Sequence, residues 1–241
     1  ITVNVHNAAE LRNAVVNALP GTVINVYPGV DYDIKPATEP SVQGQGGWYL
    51  PITASNITIQ GVDENGTPIT DAKNTKATIY STTETKNSNW PTQNLIAVFG
   101  DNVAISGLTI MPKVEVNKTI EVNGKNFTLQ YCSIVPNSKV TTVEYADPNN
   151  GGSLYFAGDK GTEVVKDNYF KQMVLSFDSV DQADSILVEN NVFDTPRTDT
   201  QMISNVTWTN PPTLKMAPVT IKDNTFKNLP EDYNKVVLQR M

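Results

Sequence analysis

Apolar and polar residues alternate at period two in short stretches of this chain, and one eight-residue form of the pattern recurs five times. The copies are Val103 to Ile110, Phe127 to Ile134, Glu163 to Phe170, Ile186 to Phe193 and Val219 to Phe226. Five residues before each terminal Ile or Phe stands an aliphatic: Ile105, Leu129, Val165, Val188 and Ile221. Seven residues before it the position is apolar in four copies and Glu163 in the other. Three residues before it, Gly107, Asp167, Asn190 and Asp223 are turn formers that tolerate a left-handed backbone. Each copy therefore predicts a half-buried strand, a sharp turn and a second short strand. An earlier fragment, Ile57 to Gly61, fits the first half of the template.

The spacing of the copies dictates the architecture. The aliphatic marker advances by 24 residues from Ile105 to Leu129, by 23 from Val165 to Val188 and by 46 from Ile59 to Ile105. Steps of 36 and 33 fit one coil carrying a surface insertion. A constant period in the twenties predicts a solenoid. No helical pattern separates the strands, which excludes βαβ crossovers. A β-sandwich would explain the turn signals, but not equivalent residues in every repeat.

The N-terminal piece predicts a helix over residues 7–19. Asn7 to Glu10 has the form of a capping box, and Leu11, Ala14, Val15 and Ala18 mark one apolar face. Pro20-Gly21 ends it, and a strand resumes at Thr22. Such a helix would plug the first coil, whose core and strand edge would otherwise be open. Residues 230–241 are a candidate C-terminal cap, with Val236 to Leu238 able to cover the last coil or to continue it.

Nothing in the length of 241 residues requires more than one domain. The formal charge of −7 comes with scattered Lys and Arg and no basic stripe, which counts against nucleic acid. No apolar run reaches the roughly 20 residues of a bilayer span. Cys132 is the only cysteine, so no internal disulfide forms, and its inward template position predicts a buried, inert thiol. Five Asn-x-Thr sequons occur, of which Asn56 and Asn126 open repeat strands and read as structural. Abundant Asn and Thr with few charges suggests an extracellular or cell-surface protein. The absence of an initiator Met suggests a mature, excised or recombinant fragment.

The capping helix, the run Pro20-Gly-Thr-Val-Ile-Asn-Val-Tyr-Pro-Gly29 and the repeated endings at Asp167 to Phe170, Asn190 to Phe193 and Asp223 to Phe226 resemble the right-handed parallel β-helix proteins of the pectate-lyase-like superfamily. The resemblance covers nearly the whole chain. It implies an all-β fold of three parallel sheets wound into a prism. About eight coils at roughly 4.8 Å would make a rod about 40 Å long. It further implies an internal ladder of Asn168, Asn191 and Asn224 and a stack of Phe170, Phe193 and Phe226 beside it.

The catalytic motifs of that superfamily are missing. Pectate lyases use Arg within Trp-Ile-Asp-His and Arg-x-Pro-x-x-Arg runs, whereas this chain has only Arg12, Arg197 and Arg240. Lys-Ser and Arg-His-Gly segments of the alginate and chondroitin lyases are absent. So are the Asn-x-Asp, Asp-Asp and Gly-His-Gly segments of polygalacturonases, and His6 is the sole histidine. Two charged constellations remain. Asp178, Asp181 and Asp184 could offer hard oxygen ligands to calcium, or form a solvated turn between coils. Lys171, Asp194 and Lys227 each follow a ladder Phe and would stack on neighbouring coils. They could serve as a lyase base with a charge neutraliser, or as a surface ion-pair ladder.

The three Trp stand outside the template, in loop-like segments. Trp48 and Tyr49 follow Gly44 to Gly47, Trp90 precedes Pro91, and Trp208 lies in Asn205 to Pro211. Exposed indole and phenol faces can stack on the C–H face of a pyranose; alternatively, each Trp covers the flank of the β-helix and seals an insertion against it. The expectation is a non-catalytic polysaccharide-binding protein, an adhesin to an insoluble plant glycan such as cellulose. Its binding residues would be Trp48, Tyr49, Trp90 and Trp208, supported by Asn, Gln and Thr on one long face. The alternatives are a calcium-dependent lyase of acidic polysaccharide and a self-associating module of a surface layer.

Overall fold

The computed structural model describes residues 1–35, 49–82, 94–111, 115–116, 118–139, 144–145, 153–157, 161–178, 184–197, 201–206 and 218–238. These form a right-handed parallel β-helix with one α-helix at the N-terminal end. Each coil contributes a strand to a first sheet, then to a second and then to a third. The first sheet has eight strands and the other two have seven, every named neighbour pair being parallel.

The predicted marker column is one continuous ladder. Ile24, Ile59, Ile105, Leu129, Val165, Val188 and Ile221 are successive Cα partners across the first sheet. All point into the core, where only the last coil leaves its member half-buried. The 36- and 33-residue steps are single coils, as expected. The 46-residue step from Ile59 to Ile105 is also a single coil rather than two, because the strands Thr58–Gly61 and Ala104–Ser106 pair directly. The extra length includes an arm over residues 63–76 that leaves the corner after the first sheet.

Left-handed residues turn the chain at many corners. Gly107, Asp167, Asn190 and Asp223 have φ of 68°, 59°, 55° and 56° between the first and second sheets. Tyr131 holds the same place at φ 55°. Asn56, Asn102 and Asn126 form a second such column before the first sheet, at φ 59°, 56° and 58°. This explains two of the sequons as turn residues.

Inside, the asparagine ladder forms. The Nδ2 of Asn168 donates to Asn191 Oδ1, and that of Asn191 to Asn224 Oδ1, each at 3.0 Å. The same amides donate at 2.9 Å to the carbonyls of Leu129 and Val165, as Asn224 does to Val188. Phe170, Phe193 and Phe226 stack beside them with centroids 5.0 and 5.1 Å apart. Glu163, the exception in the apolar column, is buried and accepts from the N–H of Phe127 at 2.9 Å. A buried carboxylate is tolerated where such donors reach it.

The helix spans Ala8–Val16, shorter than 7–19. Leu19 precedes Pro20, which disfavours helical backbone there, and the chain leaves the helix at Asn17. Asn7 Oδ1 accepts from Glu10 N–H at 2.9 Å, while the Glu10 carboxylate accepts from His6 N–H rather than from the cap residue itself. Leu11 and Val15 close the first coil, fully buried. At the other end Val236–Val237 pairs with Ile203 and Ser204, so this apolar run continues the third sheet.

Candidate functional site

The outward face of the first sheet carries a polar column at strand spacing. Asn4, Asn25, Gln60, Ser106, Gln130, Lys166, Glu189 and Lys222 are successive partners across eight coils. Side-chain amides bond along it, Asn25 Nδ2 to Asn4 Oδ1 at 3.1 Å and Gln60 Nε2 to Asn25 Oδ1 at 2.9 Å. Farther on, Glu189 takes Lys166 at 3.8 Å and Lys222 at 3.5 Å. The neighbouring outward column is Thr58, Ala104, Thr128, Val164, Leu187 and Thr220. The face is thus amide- and hydroxyl-rich over its first coils, and ion-paired with apolar Val164 and Leu187 farther on.

A cleft of about 430 Å³ borders this face at the corner with the second sheet. One wall is the arm. It leaves Val62, turns at Gly66, and bonds back through Ile69 N–H to the Gly61 carbonyl at 3.0 Å. It crosses Gly107 so closely that a Cβ there would stand 2.9 Å from the Ile69 carbonyl oxygen. Its tip is a short 3₁₀ turn, Ala72–Asn74, capped by Asp71, whose carboxylate accepts from Lys73 N–H at 2.9 Å and from Asn74 Nδ2 at 2.7 Å. The hydroxyls of Thr75 and Thr109 then pin the returning chain at 2.6 Å.

The opposite wall is the corner of the next coils: Tyr131, Asp167, Tyr169 and Asn190. Asp167 accepts from Gln130 Nε2 at 2.8 Å and from Asn190 Nδ2 at 2.6 Å, which joins the cleft to the polar column of the flat face. A phenol ring, carboxylates, an amide and the Lys73 chain thus converge on one opening. A concave site with aromatic rings and a few convergent polar groups is the form that small-molecule sites commonly take. Tyr131 takes its left-handed backbone from the corner it turns, as Gln172 and Thr195 do at other corners, at a cost of about 1–2 kcal/mol. The sequence signal was available: Tyr131 is the one non-turn-former at its template position. The arm opposite it, distant along the chain, carries no such signal.

The Lys171, Asp194 and Lys227 column forms as expected, with the three in register across the second sheet. Asp194 is nearly buried. It accepts from Tyr169 Oη at 2.5 Å, Asn228 Nδ2 at 2.7 Å and Thr195 Oγ1 at 2.9 Å, with Lys227 Nζ at 3.8 Å. Burial alone would raise its pKa, but those three donors and the Lys227 charge outweigh it and bring the value down to about 2. Burial, followed by the bond and charge of Asp194, pushes the Tyr169 phenol up to about 12. A carboxylate so engaged is a structural acceptor and a poor proton carrier. Lys171 is exposed at the far side of the column.

Tyr49 does not lie on an exposed loop. It is wholly buried just before the strand Leu50–Ile52 of the third sheet, within the core cluster, and cannot stack on a glycan. Burying that large ring in the core outweighs presenting it to solvent. Trp48, Trp90, Trp208 and Asp181 lie outside the described residues. Asp178 closes the strand Leu175–Asp178, and Asp184 is exposed just before the next strand, Ser185–Glu189. Among the described residues no group of three metal-ligating side chains converges, and no helix is long and apolar enough to cross a membrane. Cys132 is completely buried, and burial pushes its thiol up to about 12. No known protein family, curated protein or solved structure matches the chain.

Proposed function

We propose that this protein is a non-catalytic polysaccharide-binding β-helix of the cell surface or extracellular space, akin to the pectate-lyase-like superfamily in build. The observation that carries this reading is the Tyr131 side chain on the wall of a cleft that also presents Asp71, Lys73, Asp167 and Asn190. The cleft opens beside a face whose Asn, Gln and Thr side chains repeat at strand spacing. A ligand of regular repeat can meet such a face with little loss of conformational entropy on the protein side. A sugar in the cleft would place its C–H face on the Tyr131 ring and its hydroxyls on the carboxylates and amide. Trp48, Trp90 and Trp208 are further candidate stacking residues, and an insoluble plant glycan such as cellulose is the ligand class proposed.

The test is retention on insoluble cellulose, xylan and chitin, run beside soluble pectin and alginate assayed for cleavage with and without calcium. Retention by the wild type, reduced at least tenfold in affinity by Tyr131→Ala, is the expected result. Calcium-dependent release of unsaturated uronate would replace this reading with the lyase, and direct attention to Lys171 and the acidic run. Association of the protein with itself, without retention on any glycan, would replace it with the surface-layer module.

A further inference from the structure

The third sheet differs from the first in that its outward face is buried. Pro51, Ala97, Glu121, Tyr155 and Ser176 are partners along that face, and every one is inaccessible to solvent. Within it lies a charged group that the glycan-binding reading does not use. In a regular strand, residues three apart point to opposite faces. The strand Lys118–Val122 is not regular: its pairing to Ser153–Phe156 shifts between Lys118 and Ile120, so that Thr119 is an extra, bulged residue. The bulge brings Lys118 to the same side as Glu121. Their Nζ and Oε1 atoms lie 3.9 Å apart, with the two side chains 4% and 1% exposed.

A third group completes the cluster. The Nδ2 of Asn94 donates to Glu121 Oε2 at 2.7 Å, and Asn94 is 2% exposed. One carboxylate therefore stands between the two groups, ion-paired to the amine through one oxygen and hydrogen-bonded to the carboxamide nitrogen through the other. The backbone keeps them together across adjacent coils, since Leu95 N–H donates to the Lys118 carbonyl at 3.4 Å. The carboxamide oxygen of Asn94 has no hydrogen-bond partner, and the Lys118 ammonium lies 4.5 Å from the centre of the Tyr155 ring. An ordinary buried ion pair is costly to desolvate and adds little to stability. A buried amine, carboxamide and bridging carboxylate can instead condense.

We propose that Lys118 and Asn94 are joined by an intramolecular isopeptide bond, formed once the fold brings them together, with Glu121 carrying the protons. Lys118 passes a proton to Glu121, a transfer that a dry site favours because it removes both charges. The neutral Nζ then attacks Cγ of Asn94. The Cγ–Nδ2 bond breaks, Glu121 supplies the proton that the departing nitrogen needs, and the second proton lost by Nζ restores the balance. In sum, a lysine ammonium and a carboxamide give a secondary amide and one ammonium ion. No oxidant, metal or co-reactant takes part, and Glu121 ends as it began. The product links two successive coils covalently beneath the buried face.

Intact-mass measurement of the purified full chain tests this directly. The folded protein should be lighter than its sequence by the mass of one ammonia. A proteolytic map should contain a branched peptide joining the segment around Asn94 to that around Lys118. Glu121→Gln, which keeps shape and hydrogen bonding, should fold yet carry the full sequence mass and migrate more slowly on a denaturing gel. A wild-type mass equal to the sequence mass overturns the proposal, whatever the variant does. An ammonia loss that maps to a succinimide at Asn65, Asn123 or Asn150, each followed by Gly, overturns it as well.

Discussion

Asn191 holds Asn168 twice: its Oδ1 accepts from the backbone N–H and from the side-chain Nδ2 of Asn168, each at 3.0 Å. Its own Nδ2 donates to the Val165 carbonyl at 2.9 Å, and both residues are all but inaccessible. Asn191→Ala would strand the Asn168 N–H and withdraw the donor from Val165 inside the core. Unsatisfied buried groups cost about 1–3 kcal/mol each, so the expected loss is about 3 kcal/mol. Urea denaturation of the variant checks it. A loss below about 1 kcal/mol would mean that the ladder is not what secures these coils.

Cys132 continues the same ladder without an amide. Its N–H donates to Asn168 Oδ1 at 2.9 Å, and its Sγ lies 3.8 Å from the Ile105 carbonyl, the counterpart of the carbonyls that Asn168, Asn191 and Asn224 bond. Cys132→Asn should therefore add a rung and leave stability equal or higher. Cys132→Ala should cost about 1–2 kcal/mol through the vacated volume. In the native wild type the thiol, raised to about 12 by burial, should resist alkylation at neutral pH until the protein unfolds. Alkylation at the rate of a free thiol in native buffer would contradict the burial.

What repeats was legible in the sequence, and what occurs once was not. The marker column, the left-handed corners, the Asn ladder and the Phe stack each place like residues on every coil, so parallel strands in register expose them as a period. The step from Ile59 to Ile105 misled because an arm inside a coil lengthens the period without adding a turn. Lys118 is hidden for a different reason. Alternation assigns it to the inward face of its strand, and one bulged residue reverses that assignment with no local marker. Tyr49 shows the limit of reading loops from composition: it follows a Gly-rich segment yet belongs to the core. The cleft depends on contact between an arm and a corner far apart along the chain, which no local pattern encodes.

The Tyr169–Asp194 pair sets opposite pH limits. Asp194 has its carboxyl lowered from 3.8 to about 2, so its contribution is full above pH 4 and is lost as pH falls through 2. Tyr169 has its phenol raised from 10.0 to about 12, so its contribution is full below pH 10 and is lost as pH rises toward 12. Asp194→Asn should be less stable than wild type at neutral pH, and the gap should close between pH 4 and 2. The gap for Tyr169→Phe should close on the alkaline side instead. Melting temperatures taken across both ranges would show this, and an acid-side gap that stayed constant to pH 2 would refute the assignment to Asp194.

Tyr131 offers the sharpest separation of stability from function. Its ring lines the cleft, whereas its backbone occupies a left-handed turn that Gly107 fills without strain one coil earlier. Tyr131→Gly should relieve about 1–2 kcal/mol of backbone strain. Set against this are lost contacts of a half-buried ring and the greater freedom of glycine in the unfolded chain, about 0.5–1 kcal/mol. The net change in stability should be small, within about 1 kcal/mol. Glycan retention should nevertheless collapse, because the stacking surface is gone while Asp71, Lys73, Asp167 and Asn190 remain. Paired denaturation and pull-down measurements distinguish the possibilities. Loss of binding at unchanged stability marks Tyr131 as a ligand residue. A variant that binds as the wild type does would show that the ring is held there for the fold alone.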